Sequence, residues 1–64
     1  MKLIYRDQVW ELRPGMTVRD AIRKVGLDPE EVLAVRNGQL INEETLTGTD
    51  DEIKLIAVIS GGGQ

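Results

Sequence analysis

The chain has 64 residues, a formal net charge of −3 at pH 7, and neither cysteine nor histidine. That length allows one domain, and the missing residue types exclude disulfides, thiolate nucleophiles and Cys/His zinc sites. Nucleic acid is not an expected partner either: the charge opposes phosphate neutralisation, and Tyr5 and Trp10 are too few aromatics for a base-stacking surface.

The longest apolar run, Ile56 to Ile59, is too short to cross a bilayer, and the N-terminal residues lack the apolar core of a secretory signal. A cytoplasmic protein without a membrane partner is the expectation. With 41% hydrophobic residues, mostly aliphatic, the chain can pack a small core, and domains this short hold only about 3–5 kcal/mol of net stability.

In chain order, Lys2–Tyr5 and Val9–Leu12 read as two short strands of a hairpin, separated by the polar Arg6-Asp7-Gln8. Pro14-Gly15 breaks the chain, and Thr17 then opens a helix, its hydroxyl placed to accept from first-turn N–H groups. Val18, Ala21, Ile22 and Val25 follow the spacing of one apolar helical face, with Arg19, Asp20, Arg23 and Lys24 opposite. Gly26 is the expected left-handed stop, with Leu27 closing over the last turn. Asp28-Pro29-Glu30-Glu31 is a turn that can start a short second helical turn. Val32–Arg36 and Gln39–Ile41 are strands joined by Asn37-Gly38, a type I′ turn signal. Asn42 to Asp51 is a polar loop, Glu52 to Ser60 the last strand, and Gly61-Gly62-Gly63-Gln64 a tail without reason to be ordered.

These pieces make an α+β domain over residues 1–60: a mixed sheet of four to five strands with one main helix on one face, followed by a glycine tail at 61–64. A right-handed crossover lays the first and last strands side by side and parallel. In the last strand Ile53, Leu55, Ala57 and Ile59 share one face, and Lys54, Ile56 and Val58 the other. An unpaired ammonium is costly to bury, so Lys54 marks the second face as the wet one. Ile56 and Val58, joined by Ile4 from the first strand, then form an open apolar patch rimmed by charge, suited to docking a partner. Tyr5 and Trp10 alternate toward the covered side and are expected to pack. Glu30, Glu31, Glu43, Glu44, Asp50, Asp51 and Glu52 do not reproduce a calcium-loop spacing and read as a solvated face; no metal site is expected. Arg13 and Arg36 read as surface charges, and Lys2, Lys24 and Lys54 as ordinary surface lysines.

The run Ile4-Tyr5-Arg6-Asp7-Gln8, then Gly15-Met16-Thr17-Val18, Leu33-Ala34-Val35 before Asn37-Gly38, the acidic Asp50-Asp51-Glu52-Ile53, and Val58-Ile59-Ser60-Gly61-Gly62 together resemble the ThiS/MoaD family of ubiquitin-like sulfur carriers. The resemblance spans essentially the whole chain and implies a β-grasp fold. It also implies that a C-terminal glycine carboxylate is adenylated by a ubiquitin-activating-type enzyme, which uses ATP, and is then converted to a thiocarboxylate. That group serves thiamine, molybdopterin or thio-tRNA biosynthesis. The implied partners are the adenylating enzyme and a sulfur donor or acceptor enzyme, with no cofactor bound to the carrier and no catalytic residue within it. Some relatives instead form isopeptide bonds to lysines, which makes a protein modifier the alternative. A third possibility is a β-grasp interaction module that uses only the open face.

Glycine suits such a tail because it has no Cβ to obstruct passage through a narrow channel. Gly61 and Gly62 match the family's terminal pair, and Gly63-Gln64 extends beyond it. Three readings of the extension stand. A peptidase removes Gln64, or Gly63 and Gln64, so that Gly61, Gly62 and Gly63 supply the activated end. Alternatively, Gly62-Gly63-Gln64 matches the tail of the prokaryotic ubiquitin-like protein Pup, whose glutamine is deamidated and ligated. The third reading is an inert extension.

Overall fold

The computed structural model describes residues 1–58 of the chain; Ile59 and Ser60, expected to end the last strand, and the whole glycine tail lie outside the described residues. In chain order the elements are β1 (Lys2–Tyr5), β2 (Gln8–Glu11), α1 (Val18–Lys24), β3 (Val32–Arg36), β4 (Gln39–Ile41) and β5 (Glu52–Ala57). The strands form one sheet in the order β2-β1-β5-β3-β4. β1 and β5 run parallel and every other neighbouring pair antiparallel, as the crossover rule requires. With one helix across one face, this is the α+β arrangement of the ubiquitin-like β-grasp fold.

Local chemistry accounts for the elements. Asn37 and Gly38 both adopt positive φ, 55° and 79°, the backbone of a type I′ turn between β3 and β4. The β1–β2 turn is tighter than the sequence suggests. Gln8 pairs with Tyr5, which leaves Arg6-Asp7 as the loop and makes β2 start at Gln8 and end at Glu11. Arg6 carries the positive φ there, 57°, and its guanidinium lies 5.3 Å from the centroid of the Tyr5 ring. Leu12 still exchanges hydrogen bonds with Met1, whose terminal ammonium donates to the Leu12 carbonyl at 2.8 Å.

The helix is closed at both ends. At its start the Thr17 hydroxyl accepts from Asp20 N–H at 3.1 Å. The two preceding donors, on Val18 and Arg19, go to carbonyls of the 42–51 loop, Thr45 at 3.0 Å and Glu43 at 2.8 Å. Thr47 adds bonds from its amide and its hydroxyl to the Met16 carbonyl, so this loop is tied to the helix entry. At the other end Gly26 takes φ 87° and donates to Arg23, while Leu27 donates to Ile22, the paired bonds of a Schellman stop. Asp28–Glu31 is a turn without a second helix: Asp28 accepts from Glu30 through its side chain and from Glu31 through its carbonyl.

Between helix and sheet lie Leu3, Val18, Ala21, Ile22, Val32, Ala34, Ile53 and Leu55, with Met1 at the edge and Tyr5, Trp10, Val25 and Leu27 packed around them. Each of the larger side chains contributes about 1.5–3 kcal/mol by leaving water. Among the described residues no helix is long and apolar enough to cross a membrane.

Candidate functional site

β5 is the middle strand of five, and it is the strand that runs on toward Gly61-Gly62. Its alternation divides as the sequence predicts as far as Ile56; Ala57, expected on the covered face, is exposed at the strand's end, and Ile59 lies outside the described residues. Ile53 and Leu55 are buried under the helix, and Lys54 and Ile56 point to the uncovered side. The strand ends at Ala57, short of the expected Ser60. Val58 lies just past it, its N–H still donating to the Glu31 carbonyl at 2.8 Å.

Strand register sets what surrounds these residues. Val9 pairs with Ile4, Ile4 with Lys54, Lys54 with Val35, and Val35 with Leu40. This row crosses all five strands on the open face, and Ile56 and Leu33 pair in the next row toward the strand's exit end. Val9 is 58% exposed, Leu40 67%, Leu33 46% and Ile56 47%, with Ile4 and Val35 half-buried. The opposite end of the face is charged, where Glu11, Lys2 and Glu52 align.

Of the residues expected in the docking patch, Ile4 and Ile56 therefore sit on one face, and Val58 is 38% exposed beyond the end of β5. Val9, Leu33, Val35 and Leu40 enlarge that face and were not expected there. The signal lay in each strand's own alternation, since Leu33 and Val35 interleave with the buried Val32 and Ala34. The glycines Gly61, Gly62 and Gly63, together with Gln64, lie outside the described residues.

The charged groups expected to be merely solvated include four with partners: Arg36, Asp51, Glu43 and Glu44. Arg36 is not a free surface charge: its Nη1 lies 2.9 Å from Asp51 Oδ2, and both side chains are largely shielded. Asp51 also accepts from Gly48 N–H at 2.7 Å. That backbone bond, seconded by Arg36, holds the Asp51 carboxyl below the usual carboxylate range against the opposing effect of burial. Arg19 reaches Glu43 and Glu44 at 3.2 and 3.3 Å across the helix entry. Among the described residues no group of three or more acidic side chains is placed to hold a metal ion. The arrangement offers a broad, mainly apolar face on the strand that leads toward the glycine run, with Arg36, Asp51 and Arg19 holding loops elsewhere.

Comparison with known proteins agrees with this geometry. Residues 2–62 match the ThiS family. The chain is similar to the sulfur carrier protein TtuB of Thermus thermophilus, 32% identical over 62 residues that cover 97% of this chain and 94% of that protein. With the match reaching from the first strand through the second glycine of the tail, the chain belongs to the ThiS family.

Proposed function

We propose that this protein is a sulfur carrier whose Gly62 carboxylate, once freed of Gly63-Gln64, is adenylated and converted to a thiocarboxylate. A carboxylate oxygen attacks the α-phosphorus of ATP and pyrophosphate leaves; a hydrosulfide (HS⁻) then displaces AMP from the acyl carbon and loses its proton, leaving the thiocarboxylate. The adenylating enzyme supplies the ATP site and all acid–base groups, so the carrier itself is not a catalyst and acts in the cytoplasm where ATP is made available. The observation that carries the reading is the end of the family match at Gly62, the second glycine after the central strand. The relative's function as a sulfur carrier supports it.

The open face of Ile4, Ile56 and Val58, widened by Val9, Leu33, Val35 and Leu40, docks the adenylating enzyme while the tail enters its nucleotide site. Glycine, with no Cβ, leaves the acyl carbon unhindered for attack. The acceptor is a biosynthetic enzyme for thiamine, molybdopterin or thiolated tRNA. Because Gly63 follows Gly62, a peptidase must act first, and this step favours a second reading in which a target lysine, and not sulfur, attacks the same activated glycine.

Intact-mass spectrometry of the protein from its own host tests both. Loss of Gly63-Gln64 followed by a gain of about 16 Da, the replacement of one oxygen by sulfur, is the expected result. Recovery of the chain attached through Gly62 to lysines of other proteins favours conjugation. An unprocessed, unconjugated chain ending in Gln64 overturns both and leaves a docking module.

A further inference from the structure

The open face has a cation at its centre. Lys54 is the third member of the five-residue row, on the middle strand, with Ile4 on one flank and Val35 on the other. Ile56 follows it on the same face toward the tail. Arg19 and Arg36 each have a carboxylate within 3.3 Å, whereas among the described residues Lys54 has no ion pair within 4.0 Å.

A partner that covers Ile4, Val35 and Ile56 must also take the Lys54 ammonium out of water. Desolvating a charge without an acceptor opposes binding, and pairing it with a carboxylate turns the same contact into a source of specificity. A second copy of this chain is a poor occupant, because a two-fold dimer centred on this face brings two Lys54 ammoniums together. We propose that the face receives a protein surface that is apolar around a single Asp or Glu carboxylate, and that Lys54 is the residue that meets it. This rests on the adenylating enzyme being the docked partner; it adds the chemistry that the partner's surface must carry. From Lys54 to Gly62 the chain spans at most about 28 Å, so a partner seated on Lys54 has the activated glycine within its own active-site reach.

Calorimetric titration of the full chain against the adenylating enzyme of the same organism tests the inference, with Lys54→Met, Lys54→Glu and Ile56→Asp as variants. Lys54 is exposed, so the two Lys54 variants are expected to keep the wild-type thermal midpoint, which is measured alongside. Lys54→Met keeps the stem and removes the charge, and is expected to weaken Kd by about 30-fold, because it strands the partner's carboxylate. Lys54→Glu weakens it further, and added salt weakens the wild type more steeply than Lys54→Met. If Lys54→Met binds as tightly as wild type while Ile56→Asp weakens binding, the face docks without a carboxylate and the role of Lys54 is overturned. If wild type does not bind at all, the docking reading falls with it. A wild-type chain that sediments as a dimer and is dissociated by Ile56→Asp also overturns the proposal, by identifying a second copy as the occupant.

Discussion

Along β5, neighbouring residues live in two environments. Ile53 and Leu55 are buried on the helix side and sealed from water, while Lys54 and Ile56, one peptide away, face the uncovered side beside only their cross-strand neighbours. On the covered side, apolar residues are held by packing, and their identity matters to whether the chain folds. On the bare side, apolar residues add little to folding, so a row in which Val9, Ile4, Val35 and Leu40 flank Lys54 calls for another explanation. The same hydrophobic chemistry thus has two meanings in one strand, separated only by parity.

Substitutions on the two sides sharpen this contrast. Leu3→Ala, at a fully buried position, is expected to lower unfolding stability by about 2–5 kcal/mol in urea titration, comparable to the whole stability of so small a domain. A loss below about 1 kcal/mol would mean that the helix settles into the space and that the covered face is loosely specified. Gly26→Ala puts a Cβ at φ 87° and loosens the stop that holds the helix over that face; the expected cost is about 1–2 kcal/mol.

Asp51→Asn acts on the loop that leads into β5, and its effect depends on pH. The Gly48 amide and Arg36 lower the folded-state pKa of Asp51. The stabilisation it brings is therefore fully present above the unfolded value of about 3.9 and is lost as pH falls through the lower folded value. The thermal midpoints of wild type and variant should differ at neutral pH and converge in acid; a gap independent of pH would assign the effect to geometry and not to charge. The smallest effect is expected on the bare face, where Ile56→Thr keeps the β-branch and should change stability by no more than about 0.5 kcal/mol in the same titration. A large loss there would break the comparison by showing that the open face also supports the fold.

Much of this was legible in the sequence because it is local. Thr17, Gly26 and Asn37-Gly38 act through the backbone of their own few residues, and the alternation in β5 needs only the strand itself. The parallel pairing of β1 with β5 followed from chirality. What the sequence did not reveal depends on register and on backbone groups far apart in the chain. Val9 and Leu40 join the open face only because both ladders happen to place them in the row of Lys54. The loop that accepts from Val18 and Arg19 does so with carbonyls, which every residue has and which no residue type announces. Arg6 holds a positive φ that glycine or asparagine usually marks, so the tight β1–β2 turn was read one residue too long.

The place of β5 also decides how the domain answers a pull. A pull on the residues beyond Ala57 applies tension along the middle strand of the sheet. That strand is held on one side by β1, running parallel, and on the other by β3, running antiparallel. Force along its axis loads the bonds of both ladders together, in shear, and does not peel them away one after another. Any pull on that end thus meets the sheet where it is hardest to unravel.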